Sequence, residues 1–188
     1  FNYLHLLNEK EKVILCVNWI YNNQNPKDWH PYVLSLRIVN WCKASLADEI
    51  VNVSLFQQAG YLFKNLEFYH PANHYLENAR ALIFAGLYFK SDQSTRWFAK
   101  GIHIFQNELP KQVMKNGAYF ELSPMYHSIV LEGILDIINI YQQKDKVAEF
   151  FNSYDQLMLR YLEYIKYDDG SFTLFNDTTT EIAPNGNQ

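Results

Sequence analysis

Residues 79–89 read ARALIFAGLYF, and this stretch decides the fold. Its apolar side chains would cover nearly every face of a helix instead of one stripe, so the helix has to be enclosed by neighbours. On either side of it, apolar residues recur three and four positions apart between glycines and prolines, and strand-like alternation is scarce. Helices are predicted over 9–22, 31–46, 49–69, 72–89, 92–114, 124–143 and 146–166. Pro31, Pro71 and Pro124 suit a first helical turn, Ser123 suits an N-cap, and Pro110 should kink or end the fifth helix. The expected fold is all-α, made of antiparallel helical hairpins; helix pairs of roughly 40 to 50 residues fit an α/α toroid or a solenoid. After Tyr167 the helical period is lost in YDDGSFTLFNDTTTEIAPNGNQ, which reads as a linker or a truncated continuation.

With 188 residues and 48% hydrophobic content, one domain can bury its own core without disulfides or metal. The aromatic share of 16% exceeds what a helical bundle needs and also suits stacking on sugar rings. A net charge of −4 with mixed signs leaves no basic stripe, which argues against nucleic acid as a partner. No run of 18 apolar residues occurs, so no membrane span is expected. Cys16 and Cys42 sit in apolar helical patterns and read as buried thiols, with a single bridge between them left open. The six His are scattered, and neither a phosphate loop nor a dinucleotide fingerprint is present, so no metal or cofactor is expected.

Short connections make successive helices antiparallel, so the second, fourth and sixth should present their N-termini at one end. That end would collect Trp29-His30-Pro31, His70-Pro71-Ala72-Asn73-His74, Glu121 to His127, and the loop carrying Asn176-Asp177. Helix N-termini offer unpaired N–H groups and the positive end of the macrodipole, an environment for a carboxylate or sulfate.

Five segments carry a resemblance: RIVNW at 37–41, Gln57-Gln58, LEFYHPANHYLENARAL at 66–82, FELSPMYH at 120–127 and DGSFTLFND at 169–177. Together they resemble the helical N-terminal domain of the heparinase II/III-like polysaccharide lyases and their alginate lyase relatives. The resemblance implies an incomplete α/α toroid over 1–167, then a linker at 168–188 toward a C-terminal β-sandwich that this chain lacks. It implies a bacterial enzyme that cleaves an acidic polysaccharide, such as a glycosaminoglycan or another uronic acid polymer, by β-elimination. The compartment would be periplasmic or extracellular for a degradative lyase and cytoplasmic for a biosynthetic protein. The alternative is a non-catalytic glycan-binding or polysaccharide-assembly protein that kept the toroid. Ala72 stands where the family often has Gly, and Asn116-Gly117-Ala118 replaces an acidic, glycine-rich turn.

Carried onto this sequence, the resemblance gives Asn73 the substrate carboxylate, with ordinary helix capping as the competing reading. His74 becomes a second neutraliser or a base, against a structural His. Tyr126 becomes the proton donor to the leaving oxygen and a candidate base, with His127 as its neighbour and tuner. Six more residues are candidates for substrate binding. Trp29 and His30 would form a stacking platform or a hydrophobic staple. Glu77 would assist at the carboxylate or pair with Arg80 or Arg37, and Glu121 would support the Tyr126 loop. Asn176 and Asp177 arrive from the final loop. Arg37, inside a helix, is expected to pair with a carboxylate for architecture.

Overall fold

The computed structural model of the chain describes residues 2–25, 29–69, 72–180 and 182–184. Among them, a short 3₁₀ helix, Asn2–Leu6, precedes seven α-helices. These are α1 Glu9–Asn22, α2 Pro31–Ala44, α3 Glu49–Lys64, α4 Asn73–Tyr88, α5 Asp92–Gln112, α6 Pro124–Ile140 and α7 Lys146–Ile165. Extended pairing among the described residues is limited to the isolated bridges Val113 to Tyr119 and Lys166 to Phe172. The chain divides into two compact units, Phe1–Ile102 and His103–Gln188.

In the first unit α4 is the inner helix that its sequence requires: residues 76 to 85 are buried without interruption. It runs parallel to α2, because Tyr32 stacks on His74 and Ser35 meets Asn78 one turn further along each helix. The intervening α3 is antiparallel to both. Its later turns face the middle of α2 through Gln58 and Arg37, while Asn52 at its start receives the Tyr88 hydroxyl from the end of α4. Starts are set locally: Asn8 and Glu11 form a capping box on α1, and Asp48 caps α3. α5 lies against α4 at two glycines. A Cβ on Gly86 would fall 2.7 Å from the Phe98 backbone N, and one on Gly101 would fall 2.6 Å from the Ala79 carbonyl oxygen.

In the second unit α6 and α7 are antiparallel, since His127 at the start of α6 meets Met158 and Tyr161 near the end of α7. Phe105 of α5 packs edge-on against Phe151 of α7. Gly117 turns the chain with φ +93, where a side chain would also collide with the Leu157 carbonyl.

Several expectations from sequence shift. The third helix stops at Lys64 instead of continuing to 69, because the Asn65 side chain takes the Tyr61 carbonyl and its N–H takes Leu62. Leu66, Phe68 and Tyr69 extend the apolar pattern beyond that point, yet Phe68 is 72% exposed. Pro110 lies within α5, which continues only to Gln112. Pro71 falls outside the described residues. Described residues after Tyr167, in the segment expected as a linker or a truncated continuation, make bonds to the start of α6. Gly170, at φ +83, and Asp169 make a turn, after which Asn176, Thr178 and Pro184 bond to Leu122, Ser123 and Ser128 around the start of α6.

Cys16 and Cys42 are buried free thiols, and burial pushes Cys16 up to about 12 and Cys42 upward as well. Among the described residues no helix is long and apolar enough to cross a membrane, and no group of three or more His, Cys, Asp or Glu is placed to hold a metal ion.

The Gly86 contact is backbone against backbone and cannot be relieved by rotating a side chain. Gly86→Ala is therefore expected to destabilise the fold by about 1–3 kcal/mol despite the better helix propensity of Ala, read as a lower midpoint in thermal denaturation.

Candidate functional site

The first unit gathers its polar residues around a carboxylate that the sequence did not advertise. Glu67, in the loop between α3 and α4, is 1% exposed. Its backbone N–H donates to Asn78 Oδ1 at 2.9 Å, and Asn78 Nδ2 donates back to Glu67 Oε2 at 3.1 Å. The same Asn78 amide reaches Ser35 Oγ at 3.1 Å, and Ser35 donates to the Pro31 carbonyl at 2.8 Å. A buried carboxylate without partners would cost several kcal/mol, roughly enough to unfold a marginal domain, so these donors are required. The remaining oxygen, Oε1, faces His74 Nδ1 at 3.2 Å and His30 Nε2 at 3.8 Å.

An ionised Glu67 only accepts, so opposite it Nδ1 is the donating nitrogen and Nε2 is the ring's other nitrogen. Tyr32 holds the ring plane by stacking at 4.1 Å and 13°. Asn73 is the first residue of α4, and Ala72 occupies the cap position without a side-chain bond. The capping alternative for Asn73 is therefore not realised; among the described residues its half-exposed amide has no hydrogen-bond partner. His30, at the cap position of α2, also makes no side-chain cap bond. Two parallel helix starts thus stand beside His74 without side-chain caps.

Other candidates of this unit are committed to packing. Glu77 is 5% exposed and points both oxygens at Arg80 Nη1, 3.1 and 3.3 Å away. Arg37 does not find the expected carboxylate. Its Nε donates to Gln58 Oε1 at 2.6 Å and its guanidinium lies 3.7 Å above the Trp19 ring, with burial lowering its pKa to about 9. Trp29 is half-exposed; its indole N–H donates to the Asn23 carbonyl at 3.2 Å and its ring meets Tyr61 edge-on at 5.5 Å.

The second unit holds the other cluster. Tyr126 lies half-buried in the first turn of α6, with its backbone N–H on Ser123 Oγ at 3.4 Å. Its hydroxyl has no hydrogen-bond partner among the described residues. The approach to it is strained, because Leu122 has φ +53, a region that costs a branched residue roughly 1–2 kcal/mol. Asn176 holds this turn by donating to the Glu121 carbonyl at 3.2 Å and the Leu122 carbonyl at 2.8 Å, and the Thr178 and Ser123 hydroxyls lie 2.9 Å apart. Asp177 is exposed beside them. One carboxylate oxygen of Glu121 is buried. His127, the next residue, is 1% exposed, with Nε2 on the Met158 carbonyl at 3.0 Å and Nδ1 buried without a partner.

Of the residues expected at one shared end, His30 and His74 meet at Glu67 in the first unit, and Asn176 meets the Glu121–Leu122 turn ahead of Tyr126 in the second. Sequence reasoning missed Glu67, Asn78, Ser35 and Tyr32. Glu67 falls inside the range expected for the third helix, 49–69, and its partners are 7 and 11 residues onward in sequence.

Comparison with known proteins adds an independent line. The profile of the family described as Heparinase II/III N-terminus matches residues 17–184. The heparin-sulfate lyase of Pedobacter heparinus is 33% identical over 129 residues, which are 66% of this chain and 19% of that protein. The heparin-sulfate lyase of Bacteroides stercoris is 32% identical over 95 residues, 50% of this chain and 13% of that protein. Among solved structures, heparinase III superposes with a TM-score of 0.71 at 20% identity, covering 87% of this chain and 28% of the other. A mutant of heparan sulfate lyase from Pedobacter heparinus gives 0.67 at 25% identity, covering 90% and 30%. The chain therefore spans less than a third of each of these proteins, and the likeness shows its fold class, all-α with the helical hairpins of an α/α toroid.

Burial lowers the His127 pKa from 6.5 to about 4, outweighing the Met158 carbonyl that pulls it up. Between those values the unfolded chain takes up a proton that the folded chain refuses, so stability falls as pH drops from 6.5 toward 4 and levels off below. Denaturant titrations at pH 7 and 4.5 should show a loss of up to about 3 kcal/mol from this group, and His127→Gln should reduce that pH dependence.

Proposed function

We propose, from the fact that this chain belongs to the heparinase II/III family of polysaccharide lyases, that it is the helical domain of an enzyme that cleaves an acidic polysaccharide by β-elimination. The observation that carries the reading is the start of α4. There an unengaged Asn73 amide stands next to a His74 ring oriented by the buried Glu67 carboxylate. β-Elimination at a uronic acid needs three things: relief of the carboxylate charge that resists ionisation at C5, a base for the C5 proton, and an acid for the departing oxygen at C4.

Each need has a matching group. Asn73 donates to the uronate carboxylate, assisted by the uncapped starts of α2 and α4 with their positive dipole ends. His74 Nε2 removes the C5 proton, and Glu67, on the far nitrogen, stabilises the imidazolium that forms, as a carboxylate behind a catalytic His does elsewhere. The C5–H electron pair becomes the C4–C5 double bond as the C4–O bond breaks. Tyr126 gives its phenolic proton to the leaving oxygen. His30 and Trp29 are the further sugar-binding candidates of the first unit, and Glu121, Asn176 and Asp177 are those of the second. His127, Glu77 and Arg80 support these elements from within. Heparan-type chains are the first substrates to test, because the relatives are heparin-sulfate lyases by name.

In the full-length protein, ultraviolet absorbance of the unsaturated uronate should appear on incubation with heparan sulfate, alginate or hyaluronan. No product from any of them, or from a panel of bacterial uronate polymers, would sink the lyase reading. Tyr126→Phe keeps the ring and removes the proton, so kcat should fall about 10²- to 10⁴-fold with binding retained. If Tyr126→Phe turns over normally, Tyr126 is not the acid. Glu67→Gln should lower kcat roughly a hundredfold or more and alter the pH profile of kcat, which simple loosening of the fold would not do.

A further inference from the structure

The paired glutamines Gln57 and Gln58 divide their work, and only one of them is explained by packing. Gln58 is buried between Arg37 and Ser54. Gln57 points the other way, into a groove of about 840 Å³ between α1 and α3. Trp19 and Trp29 form its inner wall, their centroids 6.2 Å apart, and Tyr61 stands edge-on to Trp29. These rings are held in place: Arg37 covers a face of Trp19, and the Trp29 N–H is tied to Asn23. The Gln57 and Gln93 amides border the same groove with no partner among the described residues, and Lys64 stands beside them. Gly60 lets Gln93 come close, since a Cβ there would fall 3.3 Å from Gln93 Nε2.

Fixed aromatic faces with adjacent free amides and a nearby ammonium are the chemistry that recognises a sugar ring. The C–H face packs on the ring, the hydroxyls bond the amides, and a carboxylate or sulfate meets the cation. The volume is within the range of pockets that hold small ligands, so a short stretch of saccharide fits. The groove is also continuous with the candidate site, because Trp29 lines it and the next residue, His30, faces Glu67. We infer that the α1–α3 groove is a distal saccharide subsite that holds part of an acidic polysaccharide chain away from the bond being broken. This inference rests on the polysaccharide reading above.

The test uses the full-length protein carrying Tyr126→Phe, so that bound chains persist, titrated calorimetrically with heparan sulfate octasaccharides. Adding Gln57→Ala and Tyr61→Ala should weaken octasaccharide affinity about tenfold, while disaccharide affinity, confined to the site at α4, changes little. Gln57→Glu, an exposed change that leaves the fold intact, should weaken octasaccharide binding further by placing a negative charge in the groove. Unchanged octasaccharide affinity in both variants overturns the subsite and leaves the lyase reading standing. No saccharide binding by the Tyr126→Phe parent overturns both.

Discussion

The structure of the first unit depends on one buried carboxylate and the amide that holds it. Asn78, fully buried on the inner helix, accepts from the Glu67 backbone and donates to the Glu67 side chain and to Ser35. One side chain therefore joins α4, α2 and the loop that enters α4. Each bond is modest in net terms, about 1 kcal/mol, but a missing partner would leave a buried polar group stranded at a larger cost. This asymmetry holds the loop in one conformation. It also explains how an acidic residue can sit in a core without an Arg or Lys: its charge is met by neutral donors and two imidazoles.

What could be read from the sequence followed from local rules. The all-apolar run at 79–89 marked α4 as enclosed, and Ser123 before Pro124 marked the start of α6, because periodicity and capping act over a few residues. Asn73 and His74 were visible because a motif placed them at a helix start. Glu67 was not, because its importance comes from partners on another turn and another helix, and because Phe68 and Tyr69 prolong an apolar pattern that the backbone abandons at Lys64. His127 illustrates the opposite error. It sits next to Tyr126 in sequence, but successive helical residues point about 100° apart, so Tyr126 stays half-buried while His127 enters the seam with α7. Proximity in a motif says little about proximity in function.

Arg37 shows how the two sides of the first unit are related. A carboxylate partner was expected, and the structure supplies Gln58 and the face of Trp19 instead. A guanidinium is weakly hydrated and planar, so stacking recovers part of what burial costs. The arrangement turns a charge inside α2 into a rigid support for an aromatic wall.

The last residues of the chain have a consequence for how such a domain can be passed on. Leu122 keeps an unfavourable backbone conformation just ahead of Tyr126, and the groups that hold it there, Asn176 and Thr178, come from the non-helical tail, with Pro184 accepting from Ser128. A border drawn where helical periodicity ends, near Tyr167, would cut those groups away from the turn they secure. Recombination that joined these helices to a different follower would have to carry the tail along. In evolutionary terms the tail is part of the heritable unit, although its described residues form no helix.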